Sequence, residues 1–246
     1  MPILDSHCHL DRYPNPVQVA SEATNRGVFT IAVTNLPSHF RIGLSHVRNL
    51  PRIRLGLGLH PLAANEHARE LDLFKESLNL TSFVGEVGLD FSREGKDTRD
   101  IQLASFRSIA SLLAKAPKVV SLHSRSAEAA VLDTLMEFKA PIAIFHWYSG
   151  PLGLLDEAIS QGHYFSVNPA MILSERGKKI VARIPPDRLL TETDGPYVKI
   201  GRVPSKPWDA VLVENYLSRT WAIQPKEAQG RIWSNFQRML QKLGLV

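Results

Sequence analysis

Cysteine is almost absent from this chain, since Cys8 is the only one among 246 residues. No disulfide can form within the chain, so a small disulfide-stapled secreted fold is excluded. No apolar run approaches the roughly 20 residues of a membrane-spanning helix, and the N-terminus has neither the basic nor the apolar region of a signal peptide. We therefore expect a cytoplasmic protein with no membrane contact.

Low-complexity tracts, internal repeats and long Gly/Ser/Pro linkers are also missing. The composition is 44% hydrophobic and 22% charged, which is ordinary for a globular protein and excludes a disordered or collagenous chain. The net charge of +5 lies within residues 199–246, which carry eight basic and three acidic residues. Such a segment is compatible with a polyanionic partner, although charges of this kind are more often a solvated surface.

Short apolar runs alternate with amphipathic stretches along the whole chain, which indicates parallel βα units. Several runs are continuously apolar, as in strands buried on both faces. At this length the α/β fold that fits best is a (β/α)8 TIM barrel, built as one domain over residues 1–246. An open doubly wound sheet is the alternative. The predicted strands are Ile3–His9, Val28–Thr34, Ile53–Leu59, Ser82–Leu89, Val119–His123, Ile142–His146, Tyr164–Val167 and Leu189–Thr193.

Histidines and carboxylates gather at the carboxyl ends of these strands. In a (β/α)8 barrel all of these ends open onto one face, which holds the active site. His7 and His9 are two residues apart, so both side chains point to the same side of their strand. One such histidine alone is more often a packed or surface residue. Four histidines and two or three carboxylates after five separate strands indicate a metal centre.

Six motifs follow one another along the chain: His7-x-His9-Leu10-Asp11, Gly58-x-His60-Pro61, Gly85-Glu86-x-Gly88-Leu89-Asp90, His123-x-Arg125, His146-x-x-Ser149-Gly150 and Glu192-Thr193-Asp194-x-Pro196-Tyr197. Their order and spacing together resemble those of the TatD-type metal-dependent deoxyribonucleases. These enzymes are (β/α)8 barrels of the metallo-dependent hydrolase superfamily, and the resemblance extends over essentially the whole chain.

The resemblance implies a site for two divalent metal ions, Mg, Mn or Zn. Glu86 would bridge the two ions, and Asp194 would also accept a proton from water, so these two are the implied catalytic residues. Two ions roughly 3.5–4 Å apart can hold the attacking and leaving oxygens of a phosphodiester. The implied metal ligands are His7, His9, Glu86, His123, His146 and Asp194.

The resemblance also implies cleavage of DNA, from the 3′ end of single strands. A planar guanidinium suits a phosphate, aromatic rings stack on bases, and basic side chains follow the nucleic-acid backbone. A salt bridge of Arg125 with Asp90 or Glu128 is the competing interpretation for that arginine. The predicted substrate-binding residues are His60, Arg125, Trp147, Tyr148, Lys199 and Arg202.

Two other functions stay open. One is a small-molecule hydrolase of the same superfamily, such as an amidohydrolase or lactonase. Many of these carry a carboxylated lysine after strand four, but this chain has no lysine between Ser82 and Ser92. The other is a metal-binding accessory subunit of a bacterial defence complex with protein partners. The short length and the departures from the family motifs are similar to those of QatD-like proteins.

Overall fold

Eight parallel strands form the centre of the structure, a computed structural model that describes all 246 residues. The strands pair in sequence order, and every ladder between them is parallel. The predicted (β/α)8 barrel is therefore confirmed, in a nearly closed form. The strands are β1 (Ile3–Cys8), β2 (Val28–Val33), β3 (Ile53–Leu59), β4 (Phe83–Gly88), β5 (Val119–His123), β6 (Ile144–His146), β7 (Tyr164–Val167) and β8 (Leu189–Thr191).

Ten helices follow or connect these strands. Proline occupies the first turn of four of them, where its missing N–H leaves no hydrogen bond unmade. No helix is long and apolar enough to cross a membrane. The helices are α1 (Pro16–Asn25), α2 (Pro37–Val47), α3 (His67–Ser77), α4 (Arg99–Lys115), α5 (Glu128–Glu137), α6 (Leu152–Ser160), α7 (Pro169–Leu173), α8 (Glu175–Arg183), α9 (Val211–Thr220) and α10 (Pro225–Lys242).

The barrel closes between β8 and β1 without a regular ladder of backbone pairs. The buried carboxylate of Asp5 accepts hydrogen bonds from the amide of Thr193 at 2.9 Å and from its hydroxyl at 2.7 Å. The amide of Asp194 donates to the carbonyl of His7 at 2.9 Å. These bonds join the carboxyl ends of the two strands, so His7 and Asp194 lie side by side.

Helix α10 packs on the outside of the barrel through an apolar face that includes Ile232, Phe236 and Met239. Asn235 lies on the same face and is buried. Its side-chain amide donates to the carbonyls of Pro186 at 2.7 Å and Leu189 at 2.9 Å. These bonds satisfy a buried polar group and fix the helix to the beginning of β8.

Glu214 on α9 is buried, and one of its carboxylate oxygens has no hydrogen-bond partner. Burial raises the pKa of Glu214 to about 7, against the opposing effects of the Leu4 amide and the N-terminal ammonium. Because the pKa of Glu214 is higher in the folded than in the unfolded protein, the protonated carboxyl contributes its full stability only below the unfolded-state pKa. This contribution is lost as the pH rises through the folded-state pKa. The cost of ionisation is about 3 kcal/mol.

We therefore expect Glu214→Gln to remove this pH dependence. The free energy of unfolding, measured in denaturant at pH 5 and pH 8, should fall at the higher pH in the unmodified protein. The variant should be the more stable of the two at pH 8, by up to about 3 kcal/mol. An equal loss in both proteins between these pH values would assign the effect to other groups.

Candidate active site

The carboxyl ends of the strands surround one cavity of about 690 Å³. Seven of the eight strands contribute residues to the cavity wall, from their carboxyl ends or from the loops that follow directly. Strand β7 contributes none. The predicted site residues that line the cavity are His9, His60, Glu86, His123, Arg125, His146, Trp147 and Asp194. His7 lies directly behind them and is fully buried.

Glu86 on β4 occupies the centre of this cluster, with five imidazoles around its carboxylate. Burial by itself would raise the pKa of Glu86, but the surrounding imidazoles hold it well below its ordinary value. Glu86 is therefore an ionised carboxylate in a buried place. The nitrogen–oxygen distances to it are 3.6 Å from His7 Nε2, 3.1 Å from His9 Nε2, 3.2 Å from His60 Nε2, 2.5 Å from His123 Nδ1 and 2.9 Å from His146 Nε2.

Asp194, which follows β8, is the second carboxylate beside the imidazoles. Its Oδ1 lies 3.6 Å from the Nε2 atoms of both His7 and His9. Burial raises the pKa of Asp194 to about 7, while the imidazoles of His146 and His9 oppose the shift. A carboxylate that titrates near neutral pH can accept or release a proton there.

Asp90 fixes the orientation of His123. Its Oδ2 lies 2.7 Å from His123 Nε2, and an ionised carboxylate only accepts, so Nε2 carries the proton of the neutral ring. Nδ1 then presents a lone pair to Glu86 Oε1 at 2.5 Å. Two acceptors that face one another at this distance need a proton or a cation between them.

His60 has the opposite arrangement. The amide of Leu62 donates to its Nδ1 at 3.1 Å, so Nε2 carries the proton of the neutral ring and faces Glu86 Oε2 as a donor. The ring of His67 bonds the His60 carbonyl at 3.0 Å and holds this segment in place. His60 is thus set to donate to an anionic oxygen, whereas His123 is set to bind a cation.

The cluster as a whole fits divalent metal ions. His7, His9 and Asp194 form one group whose ligand atoms all lie within 4.8 Å of one another. His7 is held in place by Ser121 Oγ, 2.7 Å from Nδ1, and directs Nε2 toward the carboxylates. Imidazole nitrogens and carboxylate oxygens together suit Zn, Mn and similar cations. Two further groups meet the same distance criterion, His7 with His146 and Glu192, and His60 with Glu86 and His123. In the last of these, the proton on His60 Nε2 makes His60 a hydrogen-bond donor and not a metal ligand.

Arg125 lies at the rim of the cavity with more than half of its side chain exposed. It forms a salt bridge with Glu94 at 3.4 Å. The competing interpretation of Arg125 as a rim salt bridge therefore holds, but Asp90 and Glu128 are the wrong partners. Asp90 is engaged by His123 instead. Exposed pairs of this kind contribute about 0–1 kcal/mol, so the guanidinium can leave Glu94 for a phosphate at little cost.

Trp147 and Tyr148 have opposite environments. Trp147 lines the cavity with 37% of its surface exposed, and its backbone is left-handed, with φ of 38°. Tyr148 is 1% exposed in the hydrophobic core, where its hydroxyl donates to the carbonyl of Pro151. The prediction that Tyr148 stacks on a base is therefore wrong, because its ring faces the protein interior.

Lys199 and Arg202 lie outside the cavity wall. They belong to a two-stranded hairpin, β9 (Lys199–Ile200) and β10 (Val203–Pro204), which follows the end of β8. Both side chains are exposed. Only a substrate that extends beyond the cavity can reach them.

Sequence reasoning missed two polar residues near the centre. Ser121 contacts His7 Nδ1 through its hydroxyl. The sequence indicates it as a polar residue within an apolar strand, two positions before His123 and therefore on the same face of that strand. Asn35 follows β2 and lines the cavity. The sequence indicates Asn35 through its position just after the carboxyl end of a strand, where residues of the cavity are expected. Because amides are poor metal ligands, a pattern of histidines and carboxylates does not include it.

An eight-stranded parallel barrel with histidines and carboxylates around one cavity at its strand ends defines a class of protein, the metal-dependent hydrolases of the (β/α)8 type. Comparison with known families identifies which of them this is. The profile of the family described as "TatD related DNase" matches residues 4–241. The chain belongs to that family, and it is a metal-dependent hydrolase acting on ester bonds.

The chain is similar to named relatives over most of its length. It is 27% identical over 270 residues to the human protein named deoxyribonuclease TATDN3, covering 98% of this chain and 95% of the relative. It is 34% identical over 159 residues to the 3′-5′ ssDNA/RNA exonuclease TatD of Edwardsiella piscicida, 61% of this chain and 60% of that one. The crystal structure of a TatD family hydrolase from Entamoeba histolytica shares the fold, with a TM-score of 0.83, 19% identity and coverage of 97% and 98%.

Proposed function

We propose that this chain hydrolyses phosphodiester bonds of single-stranded DNA, removing nucleotides from the 3′ end, with two divalent cations. The observation that carries the proposal is the ionised, buried Glu86 amid five imidazoles, in a cavity with Arg125 and Trp147 at its rim. The names of the relatives, a deoxyribonuclease and a 3′-5′ exonuclease, support DNA as the substrate and the direction of cleavage.

Six side chains would hold the cations. Glu86 would bridge them, since its two oxygens face different imidazoles: Oε2 faces His9 and Oε1 faces His146. Bound cations would activate water and neutralise charge on the phosphate. The other ligands in this proposal are His7, His123 and Asp194, for which a lone pair is directed inward.

The remaining chemistry rests on groups of the chain itself. Asp194, whose Oδ1 lies 3.6 Å from the Nε2 atoms of His7 and His9, would accept the proton that the attacking water loses. His60 would donate from Nε2 to an oxygen of the phosphate, in the orientation that Leu62 imposes. Arg125 would bind a neighbouring phosphate through its planar guanidinium.

The rim would hold the nucleotides around the scissile bond. Trp147 has an exposed ring beside the metal site for stacking on a base. Lys199 and Arg202 on the hairpin would contact the phosphates of a strand that leaves the cavity. Because this contact needs a longer substrate, it should affect oligonucleotides and not dinucleotides.

A single-stranded oligonucleotide labelled at its 5′ end tests the direction of cleavage. With Mg²⁺ or Mn²⁺, we expect a ladder of products that shorten one nucleotide at a time from the 3′ end. RNA of the same sequence and the duplex are parallel substrates. Release of labelled mononucleotide as the first product would show the opposite direction, and an intact oligonucleotide under every metal would overturn the proposal.

We expect Trp147→Ala to raise KM for single-stranded DNA about 5- to 150-fold, because stacking on one base contributes about 1–3 kcal/mol. The turnover number should change little, since Trp147 is not one of the proposed metal ligands or proton acceptors. Steady-state kinetics on an oligonucleotide measures both values.

Tyr148→Phe is the matched control for this change, because it alters the adjacent buried ring and removes only its hydrogen bond to Pro151. Its KM should equal that of the unmodified protein. An unchanged KM in Trp147→Ala as well would mean that the exposed ring takes no part in substrate binding.

A further inference from the structure

Glu192 is a fully buried carboxylate that has no role in the proposed hydrolysis. It lies directly after β8, and three donors converge on it. Its Oε1 accepts from the backbone amide of Trp147 at 3.0 Å and from the side-chain amide of Asn168 at 3.0 Å. Its Oε2 accepts from the hydroxyl of Ser166. A buried charge that is bonded in this way has a defined position.

The same carboxylate faces the outer side of the His146 ring. Oε1 lies 3.7 Å from His146 Nδ1, a buried nitrogen that has no hydrogen bond. The opposite nitrogen of that ring, Nε2, points at Glu86 at 2.9 Å. A histidine that binds a metal almost always directs its other N–H at a carboxylate, a carbonyl or water, which sets its tautomer and orientation.

Glu192 also accepts a hydrogen bond from the backbone of Trp147, which has φ of 38°. A left-handed backbone is uncommon for a bulky residue and persists where the surroundings impose it. The bond from the Trp147 amide to Glu192 is one such constraint, and it holds the residue whose ring lines the cavity.

Strand β7 supplies the support for this arrangement. Ser166 and Asn168 lie at its end but take no part in the cavity wall, and both donate to Glu192 instead. Asn168 is itself fixed, because its side-chain oxygen accepts from the amide of Met171 at the beginning of α7. Strand β7, which contributes no residue to the cavity wall, thus contacts the site through its hydrogen bonds to Glu192.

We propose that Glu192 is a positioning residue that orients His146 for metal binding and Trp147 for substrate binding, so that one carboxylate supports both. This inference rests on the proposed metal site, but it does not depend on DNA being the substrate. The effects on His146 and on Trp147 are separable. His146 faces the negative charge of Glu192, whereas the Trp147 amide needs only an acceptor oxygen.

Two substitutions at this position separate the effects. Glu192→Gln keeps the size of the side chain and an oxygen for Trp147 and Asn168, and its amide can donate to Ser166, but it removes the charge that faces His146. Glu192→Ala removes both contributions. The probes are Mn²⁺ binding by calorimetry on metal-stripped full-length protein, and iodide quenching of tryptophan fluorescence with Trp147→Phe as the reference for assignment.

In Glu192→Gln we expect about tenfold weaker Mn²⁺ binding and unchanged quenching of Trp147. In Glu192→Ala we expect weaker Mn²⁺ binding together with altered quenching. Ser166→Ala removes one donor to Glu192 and keeps the backbone pairing of residue 166 with His146, and it should weaken Mn²⁺ binding severalfold. This variant keeps the test decisive if Glu192→Ala does not fold.

Glu214→Gln is the matched control, because it removes a buried carboxyl from α9, beside Leu4 at the amino end of β1 and not at the carboxyl ends of the strands, and it should bind Mn²⁺ like the unmodified protein. Mn²⁺ affinity that stays unchanged in both Glu192→Gln and Ser166→Ala overturns the proposal. Weaker Mn²⁺ binding in a protein that cleaves no DNA supports this inference and contradicts the proposed substrate, so the two failures are distinct.

Discussion

Glu86→Gln is expected to lose hydrolysis and metal binding together. The amide has no charge and only one acceptor oxygen, whereas the five surrounding imidazoles face an ionised carboxylate with two. We expect the turnover number to fall about a thousandfold or more, because both metal positions depend on this one side chain. Mn²⁺ calorimetry and turnover of a single-stranded oligonucleotide measure the two losses.

Glu214→Gln is again the control for a change from carboxylate to amide, and it should leave turnover unaffected. Thermal unfolding of Glu86→Gln should show an intact fold, since glutamine keeps the size of the side chain and one acceptor oxygen for the surrounding imidazoles. A Glu86→Gln protein that keeps more than a tenth of the activity would place the reaction outside this cluster.

Gly88→Ala is expected to destabilise the fold itself, two residues beyond Glu86 on the same strand. Gly88 has φ of 136°, and an added Cβ would lie 2.0 Å from the carbonyl oxygen of His123. The clash is with backbone, which cannot move aside without separating β4 from β5. We expect a loss of about 4 kcal/mol or more in the free energy of unfolding, measured in denaturant.

Gly153→Ala is the matched control for this change. Gly153 lies inside α6, and nothing comes within 4 Å of the added Cβ. Replacing glycine by alanine in a helix should stabilise the protein by up to about 1 kcal/mol. Equal stability of Gly88→Ala and the unmodified protein would contradict the close approach of β4 to β5 at this residue.

The barrel could be predicted because each strand is a separate apolar run followed by polar residues. The observed strands agree with those runs to within a few residues. Strand β6, for example, begins at Ile144 and not at Ile142. The clustering of His7, Glu86 and Asp194 followed from topology alone, since all the strand ends of such a barrel open onto one face.

What could not be predicted depends on backbone geometry beyond the strand ends. The sequence predicts that Tyr148 lies in the cavity together with Trp147, but the left-handed backbone of Trp147 changes the direction of the chain after β6. The pairing of Arg125 with Glu94 and the contacts of Glu192 with β7 likewise join segments far apart in sequence. No spacing rule along a single chain contains this information.

The most direct test of the account is cleavage by metal-stripped protein of a 5′-labelled single-stranded oligonucleotide, with Mn²⁺ added back in steps. We predict no cleavage without metal, and recovery that reaches its plateau near two equivalents of Mn²⁺ and yields products shortened from the 3′ end. Cleavage that persists with excess chelator, or an oligonucleotide that stays intact with Mg²⁺, Mn²⁺ and Zn²⁺ alike, would contradict the account.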